Sequence, residues 1–397
     1  MFKIASLELG LQNVEGFYFD GVNSGFKKEG NDLGFIRADE PFAVSAIFTS
    51  NKFQAAPIRH FKRAQERAGG ELKTNFILVN SKNANSMTGR QGIADIDEIF
   101  SELGKKIPLI NPVMSSTGVI GYRLKKEKII AAAQNFNLSA RNSNALATAI
   151  MTTDTIKKEL AYEISLENGE KFHIAAVCKG AGMINPALAT MLCFVLTDAK
   201  IPRADMDELL KKAAEQSFNT VSVDGDTSTN DTIMLCSSAK CAYEKEAFAS
   251  ALNSLTRELA LMLVKDGEGA TKLVRFRVSG AANAGDARTA AKALSNSPLV
   301  KTAIFGEDPN WGRIASTIGA CGIECDEERL RIKYDDVLLY DAQNRELDAA
   351  REAAAHAVMQ QKSFTIWCDL GLGDGEFSAY GCDLSYDYVK INADYRS

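Results

Sequence analysis

Thr190 is the residue in this chain whose setting most invites chemistry. It lies in KGAGMINPALATMLCFVLTDA, Lys179 to Ala199, where a glycine-rich segment leads into an apolar run. Its neighbours are small or apolar, and none of them is charged. Two readings fit. In the first, the hydroxyl bonds a backbone carbonyl inside a core segment. In the second, the chain is cut between Ala189 and Thr190, and the freed α-amino group becomes the base that a threonine nucleophile needs. That amine has an ordinary pKa of about 7.7–8.0, which suits proton transfer near neutral pH. Residue types alone leave both readings open.

Other stretches could serve such a nucleophile. In Ser115-Ser-Thr-Gly-Val-Ile-Gly121 a glycine follows a threonine, so a backbone N–H can stand close to a reacting atom, as an oxyanion hole requires; a plain turn would look the same. Asn80-Ser-Lys-Asn-Ala-Asn85 reads as a turn or a place where amides meet a ligand. The three histidines, His60, His173 and His356, stand alone, which leaves a Ser-His-Asp arrangement poorly supported. The eight cysteines form no Cys-x-x-Cys pair and read as small core residues. The loop Asp224 to Asp231 fails as an EF-hand, because Thr229 holds the glycine place and Leu235 the closing glutamate. Gly371-x-Gly373-x-Gly375 is not a dinucleotide fingerprint, and no metal site is expected.

The scaffold for these residues is an ordinary folded chain. Its 397 residues suffice for one large or two ordinary domains, with 46% hydrophobic and 24% charged residues. A net charge of −5 argues against nucleic-acid or membrane-surface binding. The start, Met1-Phe-Lys-Ile-Ala-Ser, lacks a signal-peptide core, and no apolar run is long enough to span a bilayer, so the cytoplasm is the default. Strands are expected at Gly16–Gly21, Leu33–Ala38, Ala43–Thr49, Asn75–Asn80, Ile107–Val113, Lys171–Val177, Leu273–Ser279, Val300–Phe305, Arg329–Tyr334, Val337–Tyr340, Ser363–Leu370 and Tyr386–Asn392. Helices are expected at Pro57–Ala68, Asn142–Ile150, Asp205–Phe218 with Asp205 as N-cap, around Phe248–Met262, and at Ala287–Leu294 and Ala349–Gln360. Asp308-Pro-Asn-Trp-Gly-Arg313 opens a further helix. The mixture gives an α/β (α+β) class and no more.

The Lys179–Ala199 stretch resembles the signature of the ornithine acetyltransferases, or bifunctional glutamate N-acetyltransferases, of arginine biosynthesis. So do, in the same order along the chain, Asn80–Asn85, Ser115–Gly121, Met151-Thr-Thr-Asp-Thr155, Val223–Asp231, Asp266-Gly-Glu-Gly-Ala-Thr-Lys272, Asp308–Arg313 and Gly381–Ser397. The likeness runs from about Gly21 to the last residue. It implies a layered α-β-β-α sandwich similar to N-terminal-nucleophile enzymes, with a smaller C-terminal α/β domain near residues 280–380. It also implies self-cleavage at Ala189–Thr190 into an alpha chain, 1–189, and a beta chain, 190–397, assembled as a heterotetramer or larger. Thr190 would then be the nucleophile, Thr117 and Gly118 the oxyanion stabilisers, and Thr153, Lys179, Thr190, Glu268, Asn392 and Ser397 the substrate-binding positions, with Glu268 meeting the substrate's amino group. Two departures from the family pattern are Ala181 in place of serine and Ser397 in place of a terminal threonine; the latter keeps the hydroxyl.

The implied activity is transfer of an acetyl group from N-acetyl-L-ornithine to L-glutamate through acetyl-Thr190. No cofactor is expected, and acetyl-CoA is left open as a co-substrate, since no dedicated CoA phosphate site is legible. The rival reading is an N-terminal-nucleophile aminopeptidase or amidohydrolase, which would hydrolyse its acyl-enzyme. A non-enzymatic binding module of the same fold fits less well with Thr190, Thr117 and Gly118 all present.

Overall fold

The computed structural model describes residues 2–185 and 191–394. Ala189, Thr190 and Ser397 therefore lie outside the described residues. The chain divides into two compact units: Met1–Gly180 with Ala187–Asn219 and Thr227–Ala260, and Ala181–Pro186 with Thr220–Asp226 and Leu261–Ser397. The second unit takes in more chain than the expected 280–380.

In the first unit the strands are β1 (Phe2–Ser6), β2 (Tyr18–Val22), β3 (Leu33–Phe48), β4 (Lys73–Asn80), β5 (Val113–Ser116), β6 (Lys158–Leu166), β7 (Lys171–Lys179), β8 (Leu192–Ala199) and β9 (Thr232–Cys241). They form one sheet of order β1-β6-β7-β8-β9-β3-β4-β5, with β2 also on β3. The single strand β3 replaces the two expected at Leu33–Ala38 and Ala43–Thr49. It shifts register between Arg37 and Phe42, pairing first with β4 and then with β9.

Side-chain alternation then separates the layers. Ile36, Ala38, Phe42 and Val44 of β3 pack with Ile77 and Val79 of β4, Ala175 and Val177 of β7, and Leu192, Phe194 and Leu196 of β8 in one shared core. The opposite-parity residues Leu33, Phe35, Phe76 and Leu78 pack outward on the helices α2 (Gly89–Leu103) and α3 (Lys126–Ala133), beyond α1 (Ala56–Arg67) in the chain. The helix α4 (Ser143–Ile150) adds Leu146 and Ile150 to the shared core. On the other outer face, α5 (Arg203–Gln216) sets Asp207 against Ser45, and Phe248 of α6 (Lys245–Lys265) stacks on Phe172 at 5.9 Å. The one sheet thus folds over a shared core into two layers with helices outside each, as the expected sandwich requires.

The second unit has a five-stranded sheet of order β12-β11-β13-β10-β14. Its elements are β10 (Leu273–Ala281), α7 (Ala284–Asn296), α8 (Pro298–Phe305), α9 (Trp311–Ala320), β11 (Arg331–Tyr334), β12 (Val337–Tyr340), α10 (Ala349–Met359), β13 (Ser363–Asp369), β14 (Gly375–Cys382) and α11 (Tyr386–Ala393). Val274, Phe276 and Val278 of β10 share a core with Ala287, Ala290 and Leu294 of α7. Among the described residues, no helix is long and apolar enough to cross a membrane.

Four further expectations change. Val300–Phe305 is helical, because Ser297 caps α8 and Pro298 occupies its first turn, with Val300, Ala303 and Ile304 buried at helical spacing. Tyr386–Asn392 is helical too, capped by Ser385, whose hydroxyl accepts from Tyr388 N at 3.4 Å. Only Val113 of Ile107–Val113 is in a strand. Asp205 does not cap α5, whose N-cap is Pro202; its carboxylate takes the Tyr243 hydroxyl at 2.7 Å and Lys245 Nζ at 2.8 Å.

His173, in β7, has a structural role. Its Nδ1 lies 2.8 Å from Asp198 Oδ2, and that hydrogen bond raises the imidazole's pKa against the opposing effect of burial. A raised value means that this stabilisation is complete below the unfolded pKa, about 6.5, and is lost as pH climbs through the folded value. The melting-temperature gap between the wild type and His173→Gln is therefore expected to be wider at about pH 5.5 than at about pH 8.5, below and above the reference value. An equal gap at both would show that the pair contributes nothing through its charge.

Candidate active site

The oxyanion candidates lie where β5 ends. β4 and β5 run parallel with Asn80 beside Ser116, and the Thr117 N–H donates to the Asn80 carbonyl at 3.0 Å. That occupies the Thr117 amide and leaves its buried hydroxyl as the donor it can offer a reacting oxygen. Gly118 has φ +131°, and a Cβ there would stand 2.2 Å from the carbonyl carbon of Lys82 and 2.5 Å from Asn83 N. Both are backbone atoms, so only glycine fits.

The Asn80–Asn85 segment supports this corner. Ser116 Oγ donates to Asn80 Oδ1 at 2.6 Å, and Asn80 Nδ2 donates to the Asn83 carbonyl at 2.9 Å. Asn230 Nδ2 donates to the carbonyls of Ala84 at 2.6 Å and Ser116 at 2.8 Å. Lys82, Asn85 and Met87 all have positive φ, a concentration of uncommon backbone that this network holds in place.

Lys179 ends β7 on the face that carries Ala175 and Val177, and it is 2% exposed. Its Nζ donates to Thr117 Oγ1 at 3.4 Å, so the structure joins two residues that are 62 apart in sequence. Burial pulls the Lys179 pKa down, and the nearby Asp154 carboxylate opposes that pull. Asp154 Oδ1 accepts from Lys158 Nζ at 2.8 Å, with both side chains fully buried, and from Gly180 N at 2.6 Å. Burial would raise the Asp154 carboxyl, but Lys179 and Lys158 hold it at about 2. Thr153, one residue before, lies half-buried in the turn after α4.

Just past the expected cut, the Met191 N–H donates to Asp231 Oδ1 at 3.1 Å. The residue bonded to Thr190 is thereby fixed to a buried carboxyl, whose pKa burial pushes well above the ordinary range.

In the second unit, Glu268 and Asn392 come together. Asn392 Nδ2 donates to Glu268 Oε2 at 2.8 Å and to its own helix at the Tyr388 carbonyl, 3.0 Å. Glu268 N donates to the Ala181 carbonyl at 2.7 Å. A Cβ on Gly182 would lie 2.3 Å from Glu268 Oε2, so this glycine makes room for the carboxylate. Asp224 fixes the next residues, accepting from Met183 N at 2.6 Å and Ile184 N at 2.9 Å.

Asp154, Asp224 and Asp231 stand in the sequence only as members of motif blocks, and Lys158 in none; only the fold shows that the Asp154 and Lys158 side chains and Asp231 are buried. Among the described residues, no group of three or more His, Cys, Asp or Glu side chains could hold a metal.

Comparison with known proteins gives the family. A model of the ArgJ family matches residues 18–397. The chain is 55% identical over 400 residues to the arginine biosynthesis bifunctional protein ArgJ of Wolinella succinogenes, covering 100% of both. It is 41% identical to the glutamate N-acetyltransferase of Methanothermobacter thermautotrophicus, over 95% of this chain and 96% of that one. A crystal structure of ArgJ from Bacillus halodurans is 38% identical with a TM-score of 0.47, covering 50% of this chain and 97% of that one. With a family match running to the last residue, and this much identity over whole lengths, the chain belongs to the ArgJ family.

Proposed function

We propose that this chain, a glutamate N-acetyltransferase of arginine biosynthesis, carries the acetyl group from N-acetyl-L-ornithine to L-glutamate on Thr190 Oγ. During maturation Oγ attacks the Ala189 carbonyl carbon, and the tetrahedral adduct expels the Thr190 nitrogen, which takes up a proton. Water then hydrolyses the resulting ester and leaves a free Thr190 hydroxyl and α-amine. In turnover the α-amine takes the hydroxyl proton as Oγ attacks the acetyl carbon. Ornithine leaves as the protonated amine, and the amine of glutamate attacks acetyl-Thr190 in the second half.

The observation that carries this reading is the Lys179–Thr117–Gly118 corner. The Thr117 hydroxyl, backed by a buried ammonium, and the N–H of a glycine in a conformation that excludes any side chain are the donors an oxyanion requires. Lys179 receives the substrate's carboxylate and Glu268 its amino group, with Thr153, Asn392 and Ser397 as further binding positions.

The sheet also explains how a cut chain stays whole. β7 precedes the cut and β8 follows it, yet they are hydrogen-bonded neighbours, as are β3 and β9. The two chains thus share one sheet, and we take the assembly to be a heterotetramer or larger, working in the cytoplasm. Acetyl-CoA stays open as a co-substrate; glutamate acetylation with acetyl-CoA as the sole donor tests this.

The decisive assay compares ornithine release with and without glutamate. A transferase needs glutamate for continuous release, whereas steady release without it would indicate a hydrolase. Glu268→Gln keeps an oxygen for Asn392 and removes only the charge. It is expected to lower kcat/KM for acetylornithine about 10- to 150-fold, the worth of a charge-assisted hydrogen bond, with self-cleavage intact. An unchanged kcat/KM would remove Glu268 from the site.

A further inference from the structure

We propose that Asp154 is a positioning residue for acetyl transfer: it fixes the end of β7 and keeps Lys179 a cation within the sandwich, where a substrate carboxylate is to meet it. The inference rests on the reading of Lys179 as the carboxylate site.

Both carboxylate oxygens are engaged, and on different segments. Oδ2 accepts from Thr152 N at 3.0 Å, and Oδ1 from Gly180 N at 2.6 Å, so Asp154 ties the turn after α4 to the residue that follows Lys179. Lys158 pairs across the ladder with Cys178, one residue before Lys179, and its Nζ is 2.8 Å from the same Oδ1. One buried carboxylate therefore holds the Lys158 ammonium directly and the backbone of the residue after Lys179, and its charge bears on the buried Lys179 ammonium as well. The three groups together carry one positive charge, which is the complement of one incoming carboxylate.

Burial strongly disfavours a bare ammonium, so a lysine in such a place needs a charge to hold its proton. The groups that act on Lys179 are Asp154, Lys158, Cys178, Asp231 and, from the loop before β3, Lys27. Asp154 is the foremost of them in favouring the charged form, while Lys158 and Lys27 oppose it. Without Asp154, the two lysines at the strand end would repel and Lys179 would lose its proton more readily. Its donor bond to Thr117 Oγ1 would then weaken together with the carboxylate site.

The test uses the full-length enzyme with lysine side chains observed by NMR, the Lys179 signal being assigned by its loss in Lys179→Met. Asp154→Asn keeps an acceptor for Gly180 N and removes the charge. The Lys179 titration is expected to move down by about one pH unit or more, the usual effect of an adjacent opposite charge. The alkaline limb of kcat/KM should move with it, and KM should rise more than kcat falls. An unmoved titration overturns the proposal. A purely structural role for Asp154 would instead lower activity equally at every pH.

Lys158→Met decides the matter if Asp154→Asn does not fold. With the repelling Lys158 charge gone and Asp154 still in place, the Lys179 titration should move to higher pH; no movement overturns the proposal. If the titration moves in either variant but KM and the pH profile do not, Asp154 holds the Lys179 charge as proposed, and it is the carboxylate reading of Lys179 that has failed.

Discussion

Thr190→Ala is expected to give a single uncut chain of 397 residues with no acetyl transfer. Both outcomes follow from one missing oxygen. The acyl shift needs Oγ to attack Ala189, and turnover needs the same Oγ to carry the acetyl group, so neither survives in part. Gel electrophoresis and a transfer assay on one preparation read the two results together. Thr190→Ser, which keeps a hydroxyl, should still cut, though more slowly. A cut Thr190→Ala chain, or an uncut one that transfers acetyl at the normal rate, would place the chemistry elsewhere.

Gly118→Ala carries the next largest effect. The added Cβ would stand 2.2 Å from the Lys82 carbonyl carbon and 2.6 Å from Lys82 Cα, so the Thr117–Gly118 turn or the Lys82–Asn83 backbone must shift. Its φ of +131° adds a conformational cost for any residue with a side chain. Loss of one oxyanion donor costs about 2.7–4 kcal/mol of barrier, roughly 10²–10³ in kcat. Cleavage and transfer should both slow by at least that much, because each passes through a tetrahedral adduct. A melting temperature measured alongside separates this from simple unfolding. Transfer within about tenfold of wild type in a folded protein would contradict the assignment of Gly118 as a donor.

What the sequence reveals depends on whether the deciding interaction is local. The strand at Lys171–Val177 and the helix at Ala349–Gln360 were legible because their apolar spacing is set within a few residues. The helix at Pro298–Phe305 was misread because Val300, Thr302, Ile304 and Phe305 favour strands by type, although the Ser297-Pro298 start was available as a counter-signal. Tyr386–Asn392 alternates like a strand, yet Ser385 caps it and Asn392 turns back to the Tyr388 carbonyl. The helix, like the expected strand, leaves Asn392 in a fixed place, beside Glu268.

The catalytic candidates were legible only in part. Thr117-Gly118 looks like many turns, and only the approach of the Lys82 backbone shows why glycine is needed there. Asp154 and Lys158 look like a solvated pair four residues apart, and nothing nearby in sequence says that both side chains are fully buried. Their meeting with Gly180 comes from the hairpin of β6 and β7, whose Asn168-Gly169 turn is a local signal, although nothing local shows that the pair within it is buried.

The account depends on Thr190 as the amino-terminal residue that holds the acetyl group. Its most direct test is mass spectrometry of the enzyme mixed with N-acetyl-L-ornithine and no glutamate, then quenched. The account predicts two fragments, one of residues 1–189 unmodified and one of residues 190–397 heavier by one acetyl group. The added mass should map to Thr190 and disappear when glutamate is supplied. An uncut chain with full activity, or an acetyl group that maps to any other residue, would contradict it.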